Sequence, residues 1–197
     1  MKEFVYDGSN GATASKVLEQ LRFFFGTTEN SIMAEKNYEN EAYQQNQHHG
    51  HSLAEVHSVI DRCIFSDGTE LSVQAKNDAK VIFEILTECE CVFHQKTRET
   101  IHFHEIGRKE NVLKICQICD LIENNKIEKF SYTPLNLGHG KIMCSHGELE
   151  IPAPATRLII NGMNTYTDEK DGELTTPSGA AIIKYFSSKN FSEKSWT

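Results

Sequence analysis

The 197 residues carry 20 Lys and Arg against 28 Asp and Glu, a formal net charge of -8, in a chain long enough for one domain with a sizeable core. No basic cluster offers a track for phosphates, which argues against a nucleic-acid partner. No stretch reaches the roughly 20 apolar residues of a membrane span and MKEFVYDG lacks signal-peptide regions, so a cytoplasmic protein without membrane association is expected.

In chain order, EFVY at 3–6 predicts a strand, DGSNGATAS a turn and ASKVLEQLRFFF a helix. Residues 1–35 are read as an N-terminal strand-loop-helix part. From Thr27 to Gly50 the chain is rich in Asn, Gln and Glu with few large apolar residues. Such composition cannot easily bury itself, so 36–51 is expected to be a flexible, histidine-rich connection. The remainder, 52–190, is read as the main α+β part of the same single domain. Ser52 and Glu55 spell a capping box ahead of Leu53, Val56 and Ile60 at helical spacing. A Ser72 cap precedes a stripe through Ala75, Ala79, Ile82, Leu86, Cys89 and Phe93. Residues 101–106 read as a strand, and Val112, Ile115, Cys116, Cys119 and Ile122 as the buried stripe of a further helix. FSYTPLNLG, KIMCSH and ELEIP alternate as sheet strands do. Pro154 and Pro177 each open a helix, PATRLII and SGAAIIKYF, and the tail after it reads as frayed. The fold class expected is α+β, a small mixed sheet covered by helices.

Chemistry enters with the nine histidines, eight of them between His48 and His139. In a strand, His102 and His104 of IHFHEIG project from the same face, roughly 7 Å apart, close enough to lean onto one metal ion at about 2 Å per bond. An exposed edge strand carrying polar residues accounts for the same pair. His48, His49 and His51 of HHGH can converge on a cation around a glycine, and a solvated histidine-rich loop has the same appearance. His139 and His146 sit at glycine turns from which a side chain can reach a cleft. His57 and His94 are read as packing and helix-end residues. An imidazole-rich, carboxylate-poor set suits nickel, copper or zinc better than magnesium. Cys116 and Cys119 form a C-x-x-C, but both fall on an apolar helical stripe with no second pair, so the six cysteines are read as reduced and structural. The helix start T-P-S-G at 176–179 offers backbone N–H groups and a hydroxyl to an anionic phosphate or carboxylate.

Taken together, HHGH, AKVIFEILTECECVFH, HFHE, GHG, HGELEIPAPAT and GELTTPSGAA resemble, in order and over about residues 48–186, the nickel-insertion proteins of lactate racemase cofactor maturation, the LarC family. The resemblance implies a pyridinium bisthiocarboxylic acid mononucleotide nickel chelatase, a lyase that uses nickel and CTP with magnesium or manganese. By the same likeness His48, His49, His51, His102 and His104, with His139 and His146 within reach, collect and hand over nickel. The helix start with Thr176, Ser178 and Gly179, and the loop with Pro154, would hold the phosphate of the mononucleotide, and ligand exchange at the histidines gives Glu105 the part of a catalytic carboxylate that orients a ring. The likeness is diverged: the N-terminal loop keeps Asp7 but lacks the family's Gly-Asp-Met segment, and Glu110 and Lys114 stand where the family carries aspartates. The resemblance reaches the N-terminal part alone, so either a separate chain supplies the C-terminal CTP-binding domain or the chain is a diverged relative that binds metal without completing the reaction, and a homo-oligomer is compatible with both. Two other readings remain: a non-catalytic nickel or transition-metal chaperone or store, and a metal-dependent phosphoester hydrolase.

Overall fold

The structure, a computed structural model, describes residues 1–27, 32–34, 50–144 and 147–191. The central part of the expected flexible connection, with His48 and His49, lies outside the described residues, as do His146 and the tail from 192. The architecture is α+β. Strand β1 (Glu3–Tyr6) leads through the glycine loop into helix α1 (Ala14–Phe25), which buries Val17, Leu18 and Leu21. Thr13 caps α1 by accepting from the Lys16 N–H, and Gly26 ends it at φ 63. Strand β2 (Ile32–Ala34) pairs with β3 (Cys63–Phe65). Between them helix α2 (Leu53–Asp61) starts on the expected capping box: the Ser52 side chain accepts from Glu55, and the Glu55 carboxylate accepts from the Ser52 N–H at 2.7 Å.

Helix α3 (Val73–His94) is capped by Ser72, and α4 (Lys109–Asn124) buries all five residues of its expected stripe. These two pack together at the centre, α1 leaning on α4 and α2 on both. Strand β4 (Lys129–Tyr132) pairs in parallel with β1. Then come β5 (Leu135–Asn136), β6 (Gly138–His139) and the hairpin of β7 (Lys141–Cys144) with β8 (Gly147–Glu150). Helix α5 (Pro154–Ile159) has Pro154 in its first turn. Strands β9 (Thr165–Tyr166) and β10 (Gly172–Glu173) pair with β5 and β6, and α6 (Pro177–Ser188) closes the core against α3, α5 and β4. Parallel and antiparallel pairs both occur, and among the described residues they are two-stranded ladders rather than one continuous sheet.

One expected element is corrected. Residues 101–106 do not form a strand: a single antiparallel bridge joins Phe103 to His51, the two residues exchanging N–H···O bonds of 2.8 and 2.9 Å, and the chain then bends. The extended stretch stops there because Gly107 must lie against Phe103 and His51, where a Cβ would meet Phe103 Cβ at 2.8 Å. The alternation survives without the strand. Ile101 and Phe103 are buried, while His102 and His104 are exposed. Gly50 and His51, grouped by sequence with the flexible connection, are buried. No helix among the described residues is long and apolar enough to cross a membrane.

Candidate functional site

A cleft of about 310 Å³ lies where four segments meet: the start of α1 (Thr13, Ala14, Ser15), the stretch from His102 to Ile106, the Ala153–Ala155 loop, and the stretch from Glu173 to Ser178. Glu90 and Phe93 from α3, Asn111 and Lys114 from α4, and Ile142 and Leu149 from the β7–β8 hairpin complete its walls. The cleft exists because the glycine loop and the start of α6 are laced together. Thr176 donates its N–H to Ala12 O at 2.9 Å, and the Ala12 N–H donates to Thr175 Oγ1 at 3.0 Å. The two segments approach this closely only because residue 179 is glycine; a Cβ there would run into the Ala12 carbonyl. Gly11, at φ 73, meets Leu174 in the same way.

Of the expected metal ligands, His102 and His104 share the cleft wall with Glu105. His51 is 3% exposed and does not line the cleft. Burial above all holds its ring below the usual imidazole pKa, the nearby Glu55 charge opposing and His102 adding to the effect. His139 also lies elsewhere, its Nδ1 3.2 Å from Lys170 O and 3.3 Å from Asp171 Oδ1. Among the described residues no three His, Cys, Asp or Glu side chains are arranged to hold an ion. His57 and His94 sit as expected, half-buried on α2 and at the end of α3. Cys116 and Cys119 are fully buried free thiols.

The expected anion-holding residues divide. Pro154, Thr176 and Ser178 line the cleft, whereas Gly179 faces Ala12, and its N–H is taken by Thr176 Oγ1. Pro177 has no N–H, so the donor remaining in that turn is Ser178's, beside a hydroxyl fixed by Asn111 Nδ2 at 3.0 Å. The start of α1 opens on the same space, which brings the positive ends of two helix dipoles together with the Lys114 ammonium.

Three carboxyls, those of Glu90, Glu105 and Glu173, share the cleft. Burial pushes the Glu90 carboxyl up to about 7, with His94 Nε2 3.2 Å away. Glu173 is also pushed up to about 7, by burial first and by the Glu105 charge second, against the lowering effect of the Ala153 N–H. Sequence reasoning missed Glu90, Glu173, Asn111 and the α1 start. Glu173 was within sight, since it sits in the quoted GELTTPSGAA motif three residues ahead of the Thr176 cap. The others come from elements whose approach to the cleft is set by tertiary packing.

Compared with known proteins, the chain matches the model of the family described as nickel insertion protein over residues 7–195. It is 36% identical over 141 residues, 72% of this chain, to the pyridinium-3,5-bisthiocarboxylic acid mononucleotide nickel insertion protein of Staphylococcus epidermidis. The identically named proteins of Staphylococcus saprophyticus and Geobacillus kaustophilus are 32% and 31% identical over 70% and 80% of this chain. The aligned parts make up 34%, 34% and 37% of those three relatives, so the chain spans about a third of their length. No solved structure matches it at a significant level.

Proposed function

Because the chain belongs to the nickel insertion protein family, we propose that its cleft binds a pyridinium-3,5-bisthiocarboxylic acid mononucleotide and passes nickel to that ligand's sulfurs from His102 and His104. The observation that carries this reading is their shared position: both histidines line the one cleft onto which the starts of α1 and α6 also open. Neutral imidazoles hold nickel through borderline nitrogen donors, and two thiocarboxylate sulfurs, softer and presented together, can displace them. Glu105, beside His104, orients a ring by accepting from its other N–H. The phosphate lies between the Ser178 N–H, the α1 start and Lys114, all of which favour an anion.

CTP with magnesium or manganese is given no site, since among the described residues no three His, Cys, Asp or Glu side chains are gathered around one point. We therefore assign no nucleotide step to them. The setting is cytoplasmic. A non-catalytic nickel store or chaperone is the second reading, supported by the position of Glu110 and Lys114 where the family carries aspartates.

Nickel titration of the wild type and of the His102→Ala/His104→Ala double variant tests the site. Binding is expected in the first and loss of at least about tenfold in affinity in the second, and unchanged affinity would remove the histidine pair. Supplying ligand, nickel and CTP, with and without a companion chain, separates the two readings. Nickel-ligand product supports insertion; bound nickel with no product in either case supports the store.

A further inference from the structure

Glu173 occupies a position that packing alone does not explain. It lies on β10, held by pairing of Gly172 and Glu173 with His139 and Gly138, and its side chain forms part of the cleft wall. The Ala153 amide approaches its carboxylate, yet Oε1 is buried with no hydrogen-bond partner among the described residues. A buried acceptor in that state costs free energy unless something supplies a hydrogen. The other cleft carboxyls are not in the same condition. Glu90 has His94 beside it, and Glu105 is exposed to water.

The chemistry of the ligand narrows what can supply that hydrogen; the inference rests on the reading of the cleft given above. In a pyridinium-3,5-bisthiocarboxylic acid mononucleotide the ring nitrogen is bonded to ribose and carries no N–H. Both thiocarboxylic groups and the phosphate are ionised near neutral pH, so they are acceptors and repel a carboxylate. The hydrogen-bond donors left on the molecule are the ribose hydroxyls. A carboxylate also suits the neighbourhood of the pyridinium charge.

We infer that Glu173 Oε1 accepts from the ribose diol of the mononucleotide, making Glu173 the residue that selects a ribonucleotide over its deoxy counterpart. The placement is consistent along the chain: Glu173 stands three residues before the Thr176 cap and five before Ser178, so one segment, 173–178, lines the space for both the sugar and its phosphate. The elevated proton affinity of Glu173 has the same origin as its selectivity, a carboxyl removed from water with one oxygen unmet.

The test needs no nickel and no turnover. Nicotinic acid mononucleotide, a commercially obtainable pyridinium mononucleotide, and its 2'-deoxy form are titrated calorimetrically into the full chain at pH 8. The wild type is expected to bind the ribose form roughly 10- to 100-fold more tightly, the range for a hydrogen bond to a charged group. Glu173→Gln, which keeps an acceptor without the charge, is expected to lose part of that preference, and Glu173→Met all of it. Affinity for the deoxy form falls in both variants by the attraction to the pyridinium charge alone, a loss common to the two probes, so the ratio of ribose to deoxy affinity isolates the hydrogen bond. Equal affinity of the wild type for the two probes, or full preference retained in Glu173→Met, overturns the role of Glu173 while leaving the cleft reading in place. Failure of the wild type to bind either probe overturns the cleft reading and this inference with it.

Discussion

At the scale of single residues, a buried imidazole and an exposed one in the same neighbourhood have opposite consequences. His51 exchanges two backbone hydrogen bonds with Phe103 and buries its ring, while His102, next along, turns its ring to the cleft. His51→Ala is therefore expected to leave nickel affinity within about twofold of wild type while lowering stability by roughly 1–3 kcal/mol through lost burial. Metal titration and urea unfolding check the two halves, and a nickel loss equal to that of the His102→Ala/His104→Ala variant would return His51 to the metal-binding set. The i, i+2 spacing of His102 and His104 was legible because alternation needs only an extended backbone, which the Phe103 bridge supplies without a strand. The fate of His51 was not legible. Its partner lies 52 positions along the chain, and the glycines that permit the approach, Gly50 and Gly107, reveal their purpose only when both segments are seen together.

At the scale of elements, the helices were the readable part of the chain. Ser52 with Glu55, the Ser72 cap, and Thr176 with Pro177 each announce a helix start within a few residues of local sequence, and each forms. How those helices assemble into a cleft depends instead on contacts between distant segments. Gly179 is the clearest instance: its sequence setting suggests a phosphate loop, whereas its lack of a side chain serves the docking of α6 onto Ala12, 167 positions earlier. Gly179→Ala places a methyl group against a carbonyl on a backbone held by the Thr176-to-Ala12 and Ala12-to-Thr175 hydrogen bonds. The expected cost is about 1–3 kcal/mol of stability, the usual range for overpacking a tight contact. Weaker mononucleotide binding should accompany it, because the α1 and α6 starts separate. Chemical denaturation together with calorimetric titration checks this, and a variant that keeps both wild-type stability and wild-type affinity would show that the contact does not set the cleft.

At the scale of the whole molecule, folding moves several titratable groups out of water, and their effects on stability run in opposite directions with pH. The usual carboxyl pKa of Glu90 and Glu173 is raised to about 7, and burial raises Asp120 to about 6, with Glu123 adding to it. A folded state that holds these protons more tightly than the unfolded chain loses stability as pH climbs from about 4.5 through 7. His51 and His57 are lowered, burial being the main cause in each. They act the other way, and stability rises as pH approaches the unfolded imidazole value of roughly 6.5. The wild-type profile sums these slopes, so a difference between two proteins is needed to isolate one group. Glu90 suits this, because its side chain is 13% exposed and burial alone accounts for its shift. Glu90→Gln keeps the shape and removes the proton equilibrium. Its stability relative to wild type is expected to grow from near zero at pH 4.5 to a plateau of roughly 1–3 kcal/mol above pH 7, the upper end being the full shift converted and the lower allowing for solvent screening of a side chain that keeps some exposure. Urea midpoints at pH 4.5, 6 and 8, with an unchanged dependence on denaturant, measure it directly. A difference that stays constant across those three conditions would mean that Glu90 holds its proton no more tightly in the folded protein than in the unfolded chain, so that the cleft wall carries a negative charge there at neutral pH.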